Sequence, residues 1–279
     1  MGLGQLLLSI GNPGTGRVVG IAALLLSLAA VPISLMRAPS PQLPKLERLG
    51  PRRLYQISPL GVVLTAASGL VMGSLYGVAP VFAKAAGLSL KEISLFMAGL
   101  MLGGFLLQFP IGRLSDRFDR RLMIAVLALA LALISGLMTQ FIAPHGAVLI
   151  FAAIVLGGVS FTLYPLAVAH VNDFITTDTM LAASAGILLI YSIGAAVGPI
   201  LSAEFLSLWG PTAFLIYFVI IGLVTALFSV RRILLGAKVP MELQGAYVAV
   251  PRTSPVAAAI DSKASEGAES DAAMLSSTG

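Results

Sequence analysis

The sequence predicts an all-α polytopic membrane protein with seven transmembrane helices, and three observations lead there. Of the 279 residues, 58% are hydrophobic and only 10% are charged, whereas ordinary soluble domains carry about 25% charge. A chain this poor in charge lacks the polar surface to cover a water-soluble globule. Seven stretches match the ~20 apolar residues that a helix needs to cross a hydrocarbon core of about 30 Å. The basic residues sit in the segments between those stretches instead of lining one face, so the net charge of +5 reports membrane topology, not nucleic-acid binding.

The expected spans are 17–36, 58–83, 93–113, 122–142, 147–171, 180–204 and 212–230, and none holds a charge near its middle. Arg17, Lys84 and Glu204 fall near the water–lipid boundary, where long side chains reach the interface. The connections Leu88–Glu92, Ala143–Gly146 and Leu208–Pro211 are short, so the helices that they join run antiparallel. One side of the membrane collects twelve basic residues: Arg37, Lys45, Arg48, Arg52 and Arg53; Arg113, Arg117, Arg120 and Arg121; Arg231, Arg232 and Lys238. The other side holds three, Arg17, Lys84 and Lys91. The positive-inside rule then puts the C-terminus in the cytoplasm and the N-terminus outside, in a bacterial-type inner membrane.

Four regions follow. Residues 1–36 hold one full helix, 17–36, after an apolar run Leu3–Ile10 and a turn-rich Gly11–Gly16. That opening reads as the last turns of a further helix; a signal peptide would start with a basic region, and none is present. Residues 37–57, with Pro39, Pro41, Pro44 and Pro51 among the basic side chains, form a cytoplasmic linker. Residues 58–231 form a six-helix bundle. Residues 232–279 are expected to be a disordered tail, acidic at Asp261, Glu266, Glu269 and Asp271. With no cysteine and no clustered metal-ligating residues, the sequence offers no metal or cofactor site.

The sharpest motif runs Gly112-Arg-Leu-Ser-Asp-Arg-Phe-Asp-Arg-Arg121, between the third and fourth spans. A glycine at a helix end lets a neighbouring backbone approach. Asp116 is placed to meet an arginine or a helix N-terminus. At these residues the chain resembles the major facilitator superfamily of secondary transporters. The signature of that family, in the loop after the second helix of each half, is G-x-x-x-D-R-x-x-R-R, matched by Gly112, Asp116, Arg117, Arg120 and Arg121. The resemblance implies a bundle equivalent to helices seven to twelve of a twelve-helix transporter, preceded by the sixth helix, 17–36. It also implies that these five residues gate the cytoplasmic opening. The first five helices have no counterpart, so the chain is expected to be truncated at its N-terminus, with the N-terminal half missing or supplied by another chain.

Gly194-Ala-Ala-Val-Gly198-Pro199 is similar to a G-x-x-x-G-P element of exporters in this family, and suits close helix packing with a bend. Gly69, Gly73 and Gly77 repeat every four residues along one helix face. Gly73-x-x-Tyr76-x-x-x-Pro80 also aligns with Gly158-x-x-Phe161-x-x-x-Pro165, as inverted repeats of three helices require. Polar residues buried in a bundle either bind a solute or bond neighbouring helices. Ser68, Tyr76, Gln108, Thr162, Tyr164, Tyr191 and Ser192 are the candidates, and His170 is the candidate for a proton step. The expected partners are therefore the bilayer and a small solute, with or without a coupling proton.

Competing classes are weaker but distinct. Seven helices with an outside N-terminus also describe a receptor or sensor, although the last span has no lysine for a retinal Schiff base. A non-transporting structural membrane protein is a further alternative. An enzyme is disfavoured, with neither H-E-x-x-H nor G-x-S-x-G in the sequence and with His145 and His170 expected at opposite faces.

Overall fold

In the computed structural model the described residues are 50–142, 146–175 and 177–235, with part of a helical stretch between 20 and 31. The expected span 17–36 and the linker to residue 49 therefore lie wholly or largely outside them, as do His145 and the tail beyond Leu235. Among the described residues the secondary structure is helical throughout: α1 Pro51–Ile57, α2 Pro59–Gly77, α3 Ala79–Ala85, α4 Leu90–Arg117, α5 Arg120–Met138, α6 Gly146–Asn172, α7 Thr177–Trp209 and α8 Pro211–Leu235. A single 3₁₀ turn, Thr139–Phe141, follows α5. Six of these helices, α2 and α4 to α8, are long and apolar enough to cross a membrane. They match the last six of the seven expected spans.

Each boundary has a local cause. Ser58 caps α2 by accepting the Gly61 amide at 3.3 Å, and Pro59 follows in the first turn, where its missing N–H costs nothing. Ser89 and Glu92 close a capping box on α4, with Glu92 accepting from the Ser89 amide at 2.8 Å. The α7–α8 hairpin turns on Gly210 alone, whose φ of +77° glycine adopts without strain, and Pro211 opens the next helix.

Three sequence expectations are corrected. The span 58–83 is not one helix: it breaks at Val78, with Pro80 in the first turn of α3. Proline lacks the amide and crowds the carbonyl one turn back, so an apolar run alone does not keep the helix continuous. The linker 37–57 ends in an ordered helix, α1, which buries Leu54. The loop Gly112–Arg121 is mostly helix, because α4 continues to Arg117 and α5 begins at Arg120. Only Phe118 and Asp119 connect them.

The closest helix pairs are α4 with α6, α2 with α7, and α5 with α8. Glycines set these distances. A Cβ added at Gly73 would fall on the backbone of Ala195, and one at Gly198 on that of Leu70, so α2 and α7 meet almost backbone to backbone. The α4–α6 pair repeats the device: Gly103 faces the Ile154 carbonyl and Gly157 the Leu100 carbonyl. On α8, Gly222 faces Ala128 and Ala132 of α5. Outward, the bundle presents large apolar side chains such as Phe105, Phe151, Ile200 and Leu227. Hydrocarbon suits that surface and water does not.

Candidate functional site

Two groups of residues have positions that chemistry can use: an arginine-rich end and an aromatic row. At the arginine-rich end, α4 stops where Phe118 turns extended, and the Asp119 carboxylate caps α5 by accepting the Arg121 amide at 2.9 Å. This tight corner places Arg120 at the first position of α5, facing inward. Its side chain is only 2% exposed. Nη1 donates to the Asp173 carboxylate and, at 3.0 Å, to the Ala169 carbonyl, both near the end of α6. Nη2 reaches Asp116, one turn back on α4, at 3.4 Å. One guanidinium thus joins the ends of α4 and α6 to the start of α5. A planar fork of five donors is suited to several acceptors at once, whereas an ammonium is a point charge.

Of the other signature residues, Gly112 is buried in α4 and Arg117 is exposed. Arg121 is buried; its Nε lies 3.5 Å from Asp119, and its carbonyl accepts from Ser229 of α8 at 2.8 Å. Arg113, outside the signature pattern, stacks over Phe109 at 4.3 Å. His170 is buried within a turn of the end of α6, beside Phe174 at 5.2 Å between ring centroids. It sits at the arginine-rich end, away from the middle of the bundle.

The solute candidates separate into two kinds. Tyr76 of α2 packs edge-on against Phe161 of α6 at 6.1 Å, and Tyr164, one turn on, lies 4.8 Å from Tyr191 of α7. These four rings form a row across three helices. Tyr76 is 41% exposed and Tyr164 is buried. Gln108 is half-buried one turn beyond Gly104, whose Cβ position Phe161 fills. In contrast, Ser68, Thr162 and Ser192 donate to carbonyls of their own helices, at 2.8, 2.7 and 2.7 Å. Ser68 and Thr162 are fully buried as well.

The glycines singled out in the sequence meet one another's helices. Gly69 and Gly73 face Tyr191 and Ala195, Gly77 faces the Pro199 ring at 3.3 Å, and Gly194 and Gly198 face Ala66 and Leu70. Sequence reasoning missed the matching set on α4 and α6, Gly99, Gly103, Gly104 and Gly157, although the 99–103 spacing carried the same signal. It also missed that Asp173 is the buried partner of Arg120. An acid closing a helix at the basic end was the available cue.

Fold and surface together define a polytopic α-helical membrane bundle most of whose basic residues meet at one end. The profile of the Major Facilitator Superfamily matches residues 60–243, and the chain belongs to that family of membrane transporters. Its relatives include uncharacterized MFS-type transporters called YcaD. That of Escherichia fergusonii is 38% identical over 146 residues, which cover 52% of this chain and 36% of the relative. Those of Shigella flexneri, at 38%, and Salmonella arizonae, at 37%, cover the same shares. The match thus spans about a third of the length of these relatives.

Proposed function

We propose that this chain supplies the C-terminal six-helix half of a secondary transporter that moves a small solute by alternating access. The N-terminal half would pack against it, and the arginine-rich end would face the cytoplasm, as the distribution of basic residues favours. The observation that carries this reading is the buried Arg120, bonded at once to Asp116 and Asp173. A contact set of this kind is a latch: it holds three helix ends together in one conformation and must loosen for that end to open. The row Tyr76, Phe161, Tyr164 and Tyr191 would form the solute-facing wall, with Gln108 beside it. Aromatic faces with a few hydroxyls suit an apolar or amphipathic solute. The long glycine contacts of α2 with α7 and of α4 with α6 keep the bundle rigid enough to rock as a unit.

The test is uptake by cells expressing the chain together with its N-terminal half, screened over sugars, amino acids and amphipathic dyes, with inserted protein measured in parallel. For a solute that the unmodified chain moves, Asp116→Asn lowers the maximal rate about tenfold, the loss of one charge-assisted bond. The amount of inserted protein stays constant. Unchanged uptake kinetics would contradict the latch.

A further inference from the structure

At the arginine-rich end a cavity of about 200 Å³ opens between the first turn of α2 and parts of α5, α6 and α8. It is far larger than the ~15 Å³ that a single water needs. Three of its lining residues carry a basic side chain, Arg121, His170 and Arg232, and among the described residues no carboxylate lines it. Asp119 approaches Arg121 from beside the cavity, with its oxygen 3.5 Å from Nε. The Arg232 side chain makes no hydrogen bond or ion pair among the described residues. His170 is 5% exposed and its side chain likewise has no hydrogen bond among them, so a buried imidazole, packed against the Phe174 ring, borders an open space. Ser58 and Leu60 place the start of the nineteen-residue α2 in the same wall. The partial positive charge of a helix N-terminus adds to that of the arginines.

We propose that this cavity binds a phosphate group, either as free phosphate or as the headgroup of an anionic phospholipid. The donors approach from different helices: guanidinium forks from α5 and α8 and the imidazole from α6. A tetrahedral oxyanion offers acceptors in all of those directions, and Arg pairs with phosphate through two parallel bonds. Leu234 and Leu235, just beyond Arg232, are 79% and 70% exposed and offer an apolar bed for an acyl chain. The site is separate from the aromatic row and does not depend on which solute is carried.

The experiment uses the whole chain purified in detergent, with its thermal unfolding followed in two titrations. One adds inorganic phosphate against chloride at constant ionic strength. The other adds phosphatidylglycerol against phosphatidylcholine in mixed micelles. A saturable rise in the unfolding temperature is expected in at least one, and the one that responds names the source. In that titration Arg232→Gln weakens the response about tenfold, the loss of one charge-assisted pair. Arg231→Gln, a neighbouring exposed arginine that does not line the cavity, leaves the response unchanged. Because Arg232 is only half-buried near a helix end, its substitution spares the core. No rise in either titration, or equal weakening by both variants, overturns the proposal. So does a response that emerges only after residues 251–279 are removed, since the cavity would then belong to the chain's own acidic tail.

Discussion

Arg120 is where the chemistry of this protein is most concentrated. A guanidinium that is 2% exposed near a helix end is tolerable only because Asp173, 3% exposed, and the Ala169 carbonyl satisfy it. Removing one partner leaves a buried charge with too few acceptors, which costs more than the intact pair contributes. Asp173→Asn is therefore expected to destabilise the chain by about 3 kcal/mol, measured as the mole fraction of dodecyl sulfate that unfolds it. Arg120→Lys should itself be destabilised in the same titration, because an ammonium cannot span the same three acceptors. A midpoint unchanged in Asp173→Asn would show that the ion pair carries little. The signature Gly112-x-x-x-Asp116-Arg117-x-x-Arg120-Arg121 was legible in the sequence. Its inner partner was not, because the link from position 120 to position 173 exists only once α5 and α6 are packed side by side. Among the solute candidates, Thr162 and Ser192 looked equivalent to Tyr76 as letters. Their hydroxyls are bonded to carbonyls of their own helices, a local competition that residue type alone does not reveal.

At the scale of elements, glycine spacing does what apolar burial does in a soluble core. Lipid is as apolar as leucine, so helices associate where small residues let backbones approach. Gly103 faces the Ile154 carbonyl, a backbone atom with no freedom to withdraw, whereas Gly136 of α5 has only a Val219 methyl at 3.8 Å. Gly103→Ala should cost ~3 kcal/mol by forcing α4 and α6 apart. Gly136→Ala should fall within ~0.5 kcal/mol of the parent or stabilise it, since alanine is the better helix former. The same unfolding titration compares them, and equal effects would contradict glycine-set packing. Helix ends were legible where polar or turn residues mark them, as at Ser89 with Glu92 and at Gly210 with Pro211. The break at Val78 was not, because it lies in a continuous apolar run and only Pro80 signals it. Prolines 110, 165 and 199 sit inside intact helices, so proline by itself does not say which outcome holds.

For the whole molecule, the pairing pattern is the informative fact. Exchanging α2 with α6, α4 with α7 and α5 with α8 turns the α4–α6 contact into the α7–α2 contact and returns α5–α8 to itself. The described bundle thus behaves as two interleaved groups of three helices. The faint repeat of Gly73, Tyr76 and Pro80 in Gly158, Phe161 and Pro165 follows the same exchange, and Tyr76 and Phe161 touch. Composition and spacing reached the fold class and six of the spans, but the order of packing is a tertiary property that hairpin lengths misstate. The short α4–α5 and α7–α8 connections suggest close neighbours, yet α4 packs chiefly on α6 and α7 on α2. Interleaved triplets of this kind are the internal repeats from which many secondary-transporter folds are built. The most direct measurement is therefore accessibility at both ends. The chain contains no cysteine, so single ones report cleanly. Tyr76→Cys near the end of α2 and Phe174→Cys at the arginine-rich end would each be labelled with a membrane-impermeant maleimide, with and without Asp116→Asn. If Asp116 and Arg120 latch an alternating-access transporter, loosening them raises labelling at Phe174→Cys and lowers it at Tyr76→Cys. Rates that stay the same, or that rise together, would contradict that account.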